Sequence, residues 1–182
     1  MTASIVSFSA TLDISGRPVM VLEGGRIGTC WNNGEPTLFC FIFIGSFCSI
    51  YVAGEQAGCV SCDERGYLEL GTQPTMFHLQ NAETGSMEWS GVALGSALIN
   101  LSTVYGAPVL QFDGDDAFNN VETLYNFLIA AQKVRMDPDS RNVEYMVPWG
   151  NGFWRKTPEN QSYSPEPVSI GLSIKSIEVP GS

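Results

Sequence analysis

A stretch without charge constrains this chain more than any other feature. Between Glu35 and Glu55 no acidic or basic side chain occurs, and Leu38-Phe-Cys-Phe-Ile-Phe-Ile-Gly-Ser-Phe-Cys-Ser-Ile-Tyr-Val-Ala53 is almost long enough to cross a bilayer as a helix. Three properties oppose that reading. The flanking charges are acidic, with the nearest basic residues at Arg26 and Arg65; the composition is aromatic and β-branched; and Gly45-Ser46 interrupts the middle. A glycine-serine pair between two apolar runs is a two-residue hairpin signal, in which glycine supplies the positive φ of a type II′ turn.

The turn dictates a register. Ile44 then faces Phe47, Ile42 faces Ser49, Cys40 faces Tyr51 and Leu38 faces Ala53 on one side of the ribbon, while Phe43/Cys48, Phe41/Ile50 and Phe39/Val52 occupy the other. Both sides are apolar, so a hairpin over Thr37–Gly54 needs a covering layer on each face, from the same chain or from a neighbouring one. Cys40 and Cys48 fall on opposite faces, which excludes a disulfide between them. Gly45→Val is expected to strain the turn.

Short strand-like segments continue on both sides of the hairpin. Ser4–Ile14, Pro18–Leu22, Ile27–Trp31, Tyr67–Leu70, Thr75–Leu79, Met87–Leu94, Ala97–Tyr105, Val109–Phe112 and Asn142–Val147 are punctuated by glycines and by turns such as Asn32-Asn-Gly-Glu-Pro36. Val168, Ile170, Leu172 and Ile174 alternate with polar or small residues, the pattern of a half-exposed closing edge strand. About a dozen short strands predict an all-β, mainly antiparallel fold of the β-sandwich or jelly-roll kind, with a closed barrel or a β-trefoil as alternatives. One helix is expected near residues 117–134, where Phe118, Val121, Leu124/Tyr125 and Leu128 recur at helical spacing, acids crowd the start and Pro138 follows. No boundary divides residues 1–182, so the expectation is a single β-rich domain.

Composition narrows the function classes. With 44% hydrophobic and 15% charged residues the chain is globular in type, and 9 Lys+Arg against 19 Asp+Glu give a formal net charge of −10. Such a chain repels polyanions, so nucleic acid is not expected as a ligand; a protein partner, self-association or a neutral glycan fits. The first residues lack a basic stretch leading into a continuous apolar run, and five cysteines at irregular spacing fit reduced thiols, so the expected setting is intracellular, in the cytoplasm or within a virion.

Candidate chemistry is sparse. Cys59-Val-Ser-Cys62 has the spacing of a zinc knuckle but wants two further ligands, and Asp63-Glu64 would raise rather than lower a neighbouring thiol pKa. Asp113-Gly-Asp115-Asp116 offers carboxylates for a calcium ion, yet the positions an EF-hand reserves for glycine and glutamate hold Phe118 and Leu124, so helix capping explains these acids more simply. No metal and no cofactor is expected. His78 is the sole histidine, and any Ser/His or Cys/His hydrolase would depend on it; its alternation with Phe77 and Leu79 favours a structural strand position. Gly-x-Ser-x-Gly, phosphate-loop and His-Glu-x-x-His patterns do not occur.

The strongest binding element in the sequence is Tyr145-Met-Val-Pro-Trp149-Gly-Asn-Gly-Phe153-Trp154-Arg-Lys156. Trp149, Phe153 and Trp154 sit beside Asn151 and Arg155, residue types suited to a protein hot spot or to stacking on a sugar ring. The expected function is a non-enzymatic interaction or assembly module, such as a coat-type structural protein or an acidic inhibitor of a basic partner. A lectin-like module built on the aromatic loop is the alternative, and a hydrolase centred on His78 ranks below both.

Overall fold

In the computed structural model, residues 6–30, 34–54, 58–64, 66–89, 93–113, 125–130, 132–136, 143–149, 153–156 and 168–178 are described. The fold is almost entirely antiparallel β. In chain order the strands are β1 (Ser7–Ile14), β2 (Arg17–Val21), β3 (Ile27–Cys30), β4 (Phe39–Ile44), β5 (Phe47–Val52), β6 (Gly58–Cys62), β7 (Leu68–Gly71) and β8 (Phe77–Asn81). They continue as β9 (Gly95–Thr103), β10 (Val109–Asp113), β11 (Tyr125–Ala130), β12 (Gln132–Met136), β13 (Val143–Trp149), β14 (Phe153–Lys156) and β15 (Ile170–Glu178).

The charge-free hairpin forms in the register its turn dictates. Ile44 pairs with Phe47, Phe43 with Cys48, Ile42 with Ser49, Phe41 with Ile50, Cys40 with Tyr51 and Phe39 with Val52. Gly45 carries φ +63, and Ser46 keeps a negative φ, as a type II′ turn requires.

From this hairpin the sheet closes on itself. β4 pairs with β1, β1 with β15, β15 with β9, β9 with β8, and β8 with β5, so six strands form a closed barrel. The barrel alternative therefore replaces the sandwich. Closure leaves no open edge among these six strands, a common solution for an antiparallel sheet whose inner face is apolar apart from a buried Thr103. Alternate residues fill the interior: Phe8, Phe39, Phe41, Phe77, Leu79, Ile99, Ile170 and Leu172 are each at most 1% exposed. Burying a side chain of this size stabilises the fold by about 2 kcal/mol.

Two flanks extend the wall. β2, β3, β11 and β10 continue outward from β1, and β6 and β7 continue from β5. They meet through single bridges, Arg26 with Glu69 and Tyr67 with Ile129, and Ala130 N–H donates to Gly66 O at 2.6 Å. A Cβ at Gly66 would collide with the carbonyl oxygen of Ala130, and its φ is +86, so glycine is required on both counts. Across the junction Arg26 Nη1 donates to Asp63 Oδ2 at 2.7 Å while its guanidinium lies 4.1 Å above the Tyr67 ring. A separate three-stranded sheet has the order β12-β13-β14.

The structure corrects four expectations from the sequence. The helix expected near 117–134 gives way to strands: residues 125–130 form β11 between β10 and β3, and 132–136 form β12, while 117–124 fall outside the described residues. Leu128, Ile129 and Ala130 are consecutively buried, so this segment is covered on both faces; a run buried in that way satisfies helical spacing by coincidence. β15 is not an edge, since β1 and β9 flank it. The segment expected as a strand over Met87–Leu94 forms none among its described residues, and Trp89 packs instead against the barrel core. Part of the loop expected at Trp149–Lys156 is strand β14.

Candidate interaction surface

The barrel interior is a packed core. Phe8 stacks on Phe41 with ring centroids 5.0 Å apart, Phe43 lies 5.6 Å from Phe8, and Trp89 covers both at 6.0 and 6.1 Å. Trp89 Nε1–H donates to the Leu79 carbonyl at 2.8 Å, which fixes the indole in place. Rings occupy the space that larger barrels give to ligands, so recognition chemistry is directed to the outside.

Strand alternation defines that outside. β4 turns Cys40, Ile42 and Ile44 outward; β5 turns Phe47, Ser49 and Tyr51; β8 presents His78 and Gln80; β9 presents Leu98, Asn100 and Ser102. Not one of these eleven positions is Asp, Glu, Lys or Arg, in a chain of net charge −10. The apolar members protrude: Ile44 is 57% exposed, Phe47 41% and Leu98 37%. Among the described residues nothing supplies the second covering layer that the hairpin demands around its tip, whereas nearer its open end Ser49 is buried and Tyr51 pairs with Cys59 of β6.

In the six-strand ring β9 stands opposite β4, so Leu98 faces away from Ile44, and the exposed apolar patch is the hairpin tip, with a polar pair beside it. Register places His78 opposite Ser102 and Gln80 opposite Asn100, so His78 and Asn100 are diagonal neighbours on one face. The Phe47 ring lies against the imidazole at 4.9 Å between centroids. His78 Nδ1 and Asn100 Oδ1 are both buried and have no hydrogen-bond partner among the described residues. Orphaned buried polar atoms cost stability and concentrate where a surface serves something other than stability.

The sites read from the sequence fare unevenly. Cys59 and Cys62 lie three residues apart on a strand and so face opposite sides. Cys59 Sγ–H donates to Gly71 O at 3.1 Å, while Cys62 packs against the core and burial pushes its thiol up to about 11. This arrangement suits neither a shared zinc ion nor a reactive dithiol. Among the described residues no three His, Cys, Asp or Glu side chains gather as a metal site. Asp113 ends β10 and pairs with Asn126, and Asp115 lies outside the described residues.

In the aromatic segment, Trp149 pairs with Phe153, Pro148 with Trp154 and Val147 with Arg155, so these residues share one antiparallel ladder; Asn151 lies outside the described residues. The pairing of Phe47 with the His78–Asn100 couple escaped sequence reasoning. The sequence did signal the hairpin part of this wall, whose two apolar faces demand a second covering layer; the polar pair was marked only by His78 and Asn100 standing at the polar places of two alternating strands.

No helix among the described residues is long and apolar enough to cross a membrane. Comparison with protein-family models, with curated proteins and with solved structures finds no match.

Proposed function

We infer that the chain is a non-enzymatic interaction module that meets another protein through the outer wall of its barrel around Ile44 and Phe47. One observation carries this reading: the hairpin that buries Phe39, Phe41 and Phe43 inside the barrel leaves Ile44 and Phe47 exposed on its other face. Burying two such side chains against a partner contributes on the order of a few kcal/mol, enough to anchor a small interface. The orphaned His78 and Asn100 atoms beside them fit a surface kept for contact at some expense to the isolated fold.

Site-specific photo-crosslinking in cells tests the reading. A benzoylphenylalanine placed at position 47 is expected to yield a discrete protein adduct, whereas the same group at position 83, in the exposed β8–β9 connection, yields none. Equal yields at the two positions would remove the support for a docking surface.

A further inference from the structure

We propose that the occupant of this wall is a second copy of the same chain, arranged as a symmetric dimer; this rests on the wall being a protein-docking surface. The argument is electrostatic. Two molecules of net charge −10 repel at long range, and a contact through their acidic loops would bring like charges together. A basic partner would be drawn to those loops, where Glu23, Glu35, Glu83 and Glu88 lie, rather than to a face without charge. A neutral face on an acidic chain matches a partner that carries the same acidic surface and can approach closely only where it too is neutral.

The local chemistry agrees. In a two-fold contact the same patch serves both copies, so each side must be self-complementary. Exposed Ile44 and Phe47 supply apolar surface to both; beside them the Gln80 amide, whose Nε2–H donates to the Gly85 carbonyl at 3.1 Å, keeps its carbonyl oxygen and second N–H for the facing copy. No ion pair needs to be matched across the axis. Screening the net charge therefore strengthens this dimer, the reverse of an interface held by opposite charges.

Sedimentation velocity of the purified full chain, from micromolar to near-millimolar concentration, provides the test. The expected result is a monomer–dimer equilibrium that tightens as salt rises from about 50 mM to about 500 mM. Phe47→Glu and Ile44→Lys each weaken it at least about tenfold while circular dichroism stays unchanged, because each buries an unpaired charge at the axis. Tyr105→Glu, in the β9–β10 turn, leaves it unaffected. A monomer at every concentration, a dimer that loosens with salt, or one indifferent to both wall variants overturns the proposal. If the chain is monomeric but position 47 still crosslinks to a different protein, self-association alone falls; if neither is seen, the docking surface falls with it.

Discussion

The Phe47 ring rests against the imidazole of His78, tilted by 50° with 4.9 Å between ring centroids. The two side chains come from different hairpins and meet only because β8 closes the barrel against β5 at the Cys48–Phe77 pair. Barrel closure thus creates the surface as well as the core: the inner partners at this junction, Cys48 and Phe77, are fully buried, while the outer ones form an aromatic shelf over a polar pair.

That polar pair yields the first prediction. Asn100 Oδ1 is buried without a donor among the described residues, so replacing the amide by an apolar side chain of similar size removes a desolvation cost. Asn100→Leu is expected to stabilise the chain by about 1 kcal/mol, roughly 2–4 °C in Tm for a protein of this size. Urea titration and calorimetry measure it directly. A loss of stability would show that Asn100 makes a hydrogen bond in solution.

The junction of the two flanks gives a second. Arg26 joins Asp63 by a 2.7 Å ion pair and lies over Tyr67, with the two charged side chains 31% and 19% exposed. A double-mutant cycle with Arg26→Met and Asp63→Asn should return a coupling of about 1 kcal/mol, since the pair is only partly withdrawn from water. Arg26→Lys should recover less than half of it, because lysine lacks the planar group that sits on the ring. A coupling of zero would mean that this ion pair adds nothing to the backbone bridges and the Tyr67–Phe127 ring contact that join the flanks.

The hairpin tip supplies a third. Gly45 has nothing within 4 Å of where a Cβ would stand, so any penalty for substitution comes from its φ of +63 rather than from crowding. Gly45→Val should cost about 2 kcal/mol and Gly45→Asn distinctly less, because asparagine tolerates positive φ better than a β-branched residue. Equal costs for the two, read by thermal or urea unfolding, would argue against backbone strain as the cause.

The hairpin was legible in sequence because a two-residue turn and a period of two act over neighbouring residues. Gly45-Ser46 fixes the pairing, and alternation does the rest. Barrel closure was not legible, since β1 finds β15 and β4 through contacts set by the whole chain rather than by local pattern. The same limit explains the helix expected near 117–134, misread at residues 125–130 and 132–134: Leu128, Ile129 and Ala130 are buried in succession, and apolar spacing cannot separate such a strand from a helix until its neighbours are known. His78 was noticed for its chemistry, yet Asn100 became its companion only through the β8–β9 register.

The two core-facing thiols lead to the last prediction. Burial pushes Cys48 from its usual 9.0 up to about 12, and burial raises Cys62 from 9.0 to about 11. Between pH 9.0 and these values the folded chain holds protons that the unfolded chain has released, so stability is intact below about pH 9 and falls as pH rises through the window. Each thiol adds about 1.4 kcal/mol of loss per pH unit while only its unfolded form is ionised. Tyrosines and lysines also titrate there, so the comparison is with a variant. Cys48→Ala should start less stable near pH 8 because it leaves a small cavity, and then close the gap by about 1.4 kcal/mol per pH unit above pH 9. Parallel unfolding curves for wild type and Cys48→Ala from pH 8 to pH 11 would show that Cys48 does not hold its proton in the folded barrel.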